Sequence, residues 1–79
     1  MTTLNANKML DCAGMLCPLP VIKVAKAIKE IEVGQVLKMV ATDPGAPPDM
    51  EAWARQTGNE ILDQHVEDGK FVFYFKRVK

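Results

Sequence analysis

The stretch "LDCAGMLCPLPVIKVAKAI", residues 10–28, holds three local signals in succession. Its first residues close an apolar-leaning run, Lys8 to Cys12, short enough to be a strand. "AGML", Ala13 to Leu16, supplies a glycine turn. Pro18 then opens a segment in which Val21, Val24, Ala25, Ile28 and Ile31 recur at steps of three and four, the period of an amphipathic helix over Pro18–Ile31. Lys23, Lys26, Lys29 and Glu30 fall on its other faces, and Gly34 follows as a stop signal.

Working outward, Gln35 to Thr42 is short and rich in Val, Leu and Met, and reads as a second strand. "DPGAPPD", Asp43 to Asp49, is a loop that turns into a second helix. Prolines suit a helix's first turn, and Asp49 and Glu51 suit its positive end. This helix runs to about Thr57, with Met50, Trp53 and Ala54 inward and Gly58 or Asn59 ending it. Glu60–Val66 and Phe71–Val78 read as two strands joined by "EDGK", Glu67 to Lys70, whose Asp-Gly pair is a strong hairpin signal. In "FVFYF", Phe71, Phe73 and Phe75 share one face and Tyr74 lies on the other.

The order β-α-β-α-β-β predicts an α+β fold, a two-layer α/β sandwich with two helices on one face of a four-stranded mixed sheet. The opposite sheet face is expected to be partly open. The 79 residues are expected to form a single domain, residues 1–79, with residues 1–7 a loose tail. An apolar fraction of 48% suffices for one core and is too high for a disordered chain. Ten basic residues balance ten acidic ones, which argues against bulk capture of nucleic acid or an anionic membrane. No segment approaches the roughly 20 apolar residues that span a bilayer, and the N-terminus lacks a signal peptide's apolar run. The expected setting is cytoplasmic, where two cysteines read as reactive thiol, metal ligand or core residue.

Cys17 has the strongest chemical signal. With Cys17 at the N-cap and Pro18 at the first helical position, both Pro18 and Pro20 occupy sites whose N–H has no intrahelical partner. They stiffen the helix start and pin the thiol, leaving chiefly the Cys17 and Leu19 amides nearby. The helix's positive end favours thiolate over thiol. The bland alternative is a small buried residue, but a helix cap is polar and exposed, and the apolar stripe begins only at Val21.

The Asp-x-x-Gly-x-x-Cys-Pro-x-Pro core, built from Asp11, Gly14, Cys17, Pro18 and Pro20, resembles that of the TusA/SirA family of small sulfur-transfer proteins. Chain length, element order and the tail hairpin agree, and the resemblance covers about residues 8 to 78. It implies a fold like the C-terminal domain of bacterial translation initiation factor three. It implies a sulfur carrier, chemically a sulfurtransferase, that holds a persulfide on Cys17, with Asp11, Gly14, Pro18 and Pro20 in support. The family takes sulfur from a desulfurase or rhodanese-like donor and passes it to an acceptor protein thiol. A monomer that docks transiently is implied, with no metal, no organic cofactor and no direct nucleic-acid contact. A reading from another class is a non-catalytic redox sensor or regulatory binding module built on the same thiol.

Cys12 lies outside that core motif, and three readings compete: a small residue ending a strand, a resolving thiol that pairs with Cys17, or a second sulfur acceptor. Lys23, Lys26 and Lys29 form a cationic stripe, either a solvated face or a docking surface for an acidic partner. Met15, Leu16 and Leu19 form an interaction patch if exposed. His65, the sole histidine, faces opposite to Val66 and reads as a surface or edge residue more readily than as a base. Cys-x4-Cys is weak metal evidence. Trp53 and the aromatics of "FVFYF" read as core rather than as a base-stacking platform.

Overall fold

The computed structural model describes residues 6–16 and 18–79. Its elements run β1 (Lys8–Cys12), α1 (Leu19–Ala27) with a 3-10 turn at Ile28–Glu30, β2 (Val36–Ala41), α2 (Ala46–Thr57), β3 (Glu60–Glu67) and β4 (Lys70–Lys76). This is the expected β-α-β-α-β-β order. The four strands form one sheet in the order β1-β2-β4-β3. Only β1 and β2 are parallel, with Cys12 opposite Ala41; β4 runs antiparallel to both its neighbours, so the sheet is mixed.

Strand periodicity decides which side carries the helices. Leu37, Met39 and Ala41 are fully buried, while Val36, Lys38 and Val40 between them are half-buried. The first set packs with Phe73 and Phe75 of β4, with Val24, Ala27 and Ile28 from the first helical segment, and with Met50, Trp53 and Ala54 of α2. Trp53 meets Phe75 edge-on at 5.3 Å between ring centroids, and Phe73 and Phe75 stack at 5.7 Å. These aromatics are core, as the sequence predicts. Tyr74 points to the opposite face, where the Lys38 ammonium lies 5.7 Å from its ring centroid. That face is not bare: Val72 and Tyr74 remain buried there, and the Tyr74 ring also stacks with the His65 ring of β3.

Turn chemistry sets the ends. Asp68 and Gly69 both have positive φ, 52° and 75°, the two-residue hairpin geometry that makes Asp-Gly the preferred pair. Gly58 closes α2 in the left-handed conformation and donates its N–H to the Ala54 carbonyl. The first helix is shorter than its apolar period suggests. It tightens to a 3-10 turn after Ala27, and Ile31 is already extended. The Ile31 carbonyl accepts from the Arg77 guanidinium at 2.5 Å, a partner that the helical repeat alone cannot reveal.

Candidate functional site

The connection between β1 and α1 is held at several points. The Asp11 side chain accepts the Ala13 N–H at 2.9 Å, and the Met15 N–H donates to the Cys12 carbonyl at 3.1 Å. Gly14 takes φ of 82°, and a Cβ there would meet nothing within 4 Å. The glycine therefore answers a backbone requirement and not a lack of space. Its N–H donates to the Thr42 hydroxyl at 2.9 Å, across 28 residues of sequence. Asp11 and Gly14, both singled out from the motif, thus shape this turn. Thr42 was missed because its role depends on β1 and β2 lying side by side.

Cys17 lies outside the described residues. Its neighbours in sequence, Leu16 and Pro18, are both exposed. The helix begins one residue later than expected. Pro18 is the cap, its carbonyl accepting the Ile22 N–H at 3.2 Å, and Leu19 is the first helical residue. The Leu19 N–H donates to the Leu16 carbonyl at 2.9 Å, which corrects the expectation that this amide serves the thiol. Val21 is the remaining first-turn position that carries an N–H. The two prolines also differ: Pro18 is exposed, whereas Pro20 is fully buried and anchors the helix start to the core.

Cys12 is fully buried within the core cluster. Burial, and then the Asp11 carboxylate, raise its thiol above the ordinary cysteine pKa, against an opposing pull from Lys23. Leu16, Leu19 and Ile22 are 70%, 47% and 55% exposed, so an apolar patch surrounds the helix start. Met15 is half-buried against the core and so contributes less than the sequence suggests. Ile22 joins the patch instead, three residues after Leu19 and off the buried stripe. Lys23, Lys26 and Lys29 are all exposed. A groove of about 260 Å³ runs beside the helix start, lined by Pro18, Val21, Asp49, Ala52, Trp53 and Gln56.

His65 is elsewhere. It lies on β3 opposite Val72, on the face away from the helices, with its Nδ1 2.6 Å from an Asp63 carboxylate oxygen and its ring stacked on Tyr74. Three strand spacings, roughly 14 Å, separate β3 from β1. It is not brought to the β1–α1 connection. Among the described residues no group of three or more His, Cys, Asp or Glu could hold a metal ion, and no helix is long and apolar enough to cross a membrane.

The family model described as "Sulfurtransferase TusA" matches residues 8–77. The chain belongs to the TusA family. Among its TusA-family relatives, the sulfur carrier protein TusA of Allochromatium vinosum is 46% identical over 71 residues, covering 90% of this chain and 93% of that one. A putative sulfur carrier protein of Aquifex aeolicus is 42% identical over 77 residues, 98% of this chain, which spans only 39% of that longer relative. The crystal structure of a SirA-like protein from Desulfitobacterium hafniense superposes with a TM-score of 0.72 at 24% identity, covering 91% of this chain and 99% of that one. The TusA-family fold, two helices on a four-stranded mixed sheet, is therefore shared with a solved structure, and membership supports sulfur carriage as the general activity.

Proposed function

We propose that this chain carries sulfur as a persulfide on Cys17 and hands it to a thiol on a partner protein. The observation that supports this most is the anchored β1–α1 turn. Asp11, Gly14 and the buried Pro20 fix the chain on both sides of Cys17 in sequence, and its neighbours Leu16 and Pro18 are exposed. Such an arrangement suits a sulfur that has to meet other proteins. Pro18 adds stiffness at the helix cap.

Transfer needs no resident cofactor. The acceptor thiol loses its proton to solvent, and its thiolate attacks the outer sulfur of the Cys17 persulfide. A new sulfur–sulfur bond forms as the old one breaks, and the electron pair leaves with Cys17 as a thiolate. One persulfide replaces another, so there is no net oxidation. In this reading Cys12 is a packing residue: full burial and a raised pKa disfavour both attack and release. The chain works as one domain, residues 1–79, as a cytoplasmic monomer that meets donor and acceptor in turn.

The test is loading with inorganic polysulfide, followed by peptide mass analysis. One added sulfur on the peptide containing Cys17 is expected; no added sulfur, or sulfur on Cys12 alone, would overturn the proposal.

Docking falls to the apolar patch Leu16, Leu19 and Ile22 with Lys23, Lys26 and Lys29 beside it, which complements an acidic, partly apolar partner. Reversing Lys23 and Lys26 to glutamate is expected to slow loading from a cysteine desulfurase about tenfold at low salt. The difference should vanish near 1 M salt, where screening acts within roughly 3 Å. Equal rates at low salt would rule out the stripe as a docking surface.

A further inference from the structure

We infer that Thr42 is a positioning residue for the sulfur-bearing segment, an inference that rests on the Cys17 carrier reading. Among the described residues, three hydrogen bonds define the turn that leads to Cys17. Two are local: Ala13 N–H to the Asp11 side chain, and Met15 N–H to the Cys12 carbonyl. Local bonds set the shape of the turn but let it swing as a unit relative to the sheet. The third, from the Gly14 N–H to Thr42 Oγ1 at 2.9 Å, ties the turn to the end of a different strand.

The topology makes this clamp available. β1 and β2 are parallel, and Cys12 sits opposite Ala41. The chain therefore leaves both strands at the same end of the sheet, with Ala13 and Thr42 as the next residues. Gly14, held at φ of 82°, is three residues before Cys17. Threonine suits the task because its branched Cβ restricts χ1 and so holds the acceptor oxygen in place. Valine has nearly the same shape but no acceptor, and serine keeps the acceptor without the methyl group. These two substitutions separate the hydrogen bond from packing.

The experiment compares the parent, Thr42→Val, Thr42→Ser and Cys17→Ser, each full length. It reads the rate of sulfur uptake from inorganic polysulfide, hydrogen exchange at the Gly14 amide and the urea midpoint. Thr42→Val is expected to take up sulfur about fivefold more slowly, the factor a single lost hydrogen bond carries, with faster Gly14 exchange. Thr42→Ser should restore both while its urea midpoint stays at or below that of the valine variant, so that stability does not explain the recovery. Parent-like uptake by Thr42→Val, or failure of serine to restore it, would overturn the inference. Sulfur uptake by Cys17→Ser would instead overturn the carrier reading itself, so the two failures are distinguishable.

Discussion

Serine in place of Cys17 is expected to abolish sulfur uptake, while serine in place of Cys12 keeps it. The first half follows from bonding. A hydroxyl is hardly ionised at neutral pH, and an alkoxide is a far poorer leaving group than a thiolate, so the exchange step has no counterpart in oxygen. The second half follows from burial. Cys12 is 0% exposed, and burial in a mostly apolar core raises its pKa. A polysulfide ion reaches it only when the structure opens. Cys12→Ser instead places a hydroxyl in the core and costs about 1–3 kcal/mol if that group finds no partner. The same contrast governs labelling by iodoacetamide at neutral pH. The folded parent should take one label quickly, at Cys17, and a second only in strong urea. Rapid double labelling of the folded protein, or sulfur uptake lost in Cys12→Ser while that variant stays folded, would contradict this division of roles.

Phe73→Ala is expected to remove about 3–5 kcal/mol of stability. Phe73 is fully buried at the centre of β4, paired with Met39 on one side and Gln64 on the other. Its ring lies nearly parallel to that of Phe75, at an interplanar angle of 7°. Truncation thus opens a cavity where strands and helices meet. For a small domain the whole stability is about 5–15 kcal/mol, so this loss leaves little margin. With a urea slope of about 1 kcal/mol per molar, the midpoint should fall by about 3–5 M. The control is Val66→Ala: Val66 is 65% exposed, and a change within about 0.5 kcal/mol is expected. A small shift for Phe73→Ala would mean that the core is not organised around β4.

Both expectations draw on signals that were unevenly legible. The strand alternation of "FVFYF" placed Phe73 correctly because side chains in a strand alternate whatever the strand pairs with. The Asp-Gly hairpin and the left-handed Gly58 cap were readable for a similar reason, since each is a backbone requirement met within a few residues. The Cys12 position was not: its place at the end of β1 was visible, but its full burial depends on packing from α1, β2 and β4. His65 could be doubted as a base on general grounds, yet its actual position followed only from the strand order. The helix start was displaced by one residue because Pro18 fits the cap as well as the first turn, and choosing between them takes the carbonyl that Ile22 meets.

The chain's local chemistry alone determined the element order, the turns at Asp68–Gly69 and Gly58, the inward faces of the strands and the motif around Cys17. Tertiary structure alone decided the insertion of β4 between β2 and β3, the seclusion of Cys12, the Arg77 bond that receives the end of the first helix, and the reach of Thr42 to Gly14. The physical reason is range: dihedral preference and side-chain alternation act within a few residues, whereas burial and cross-strand hydrogen bonds join positions whose closeness exists only after the chain has folded.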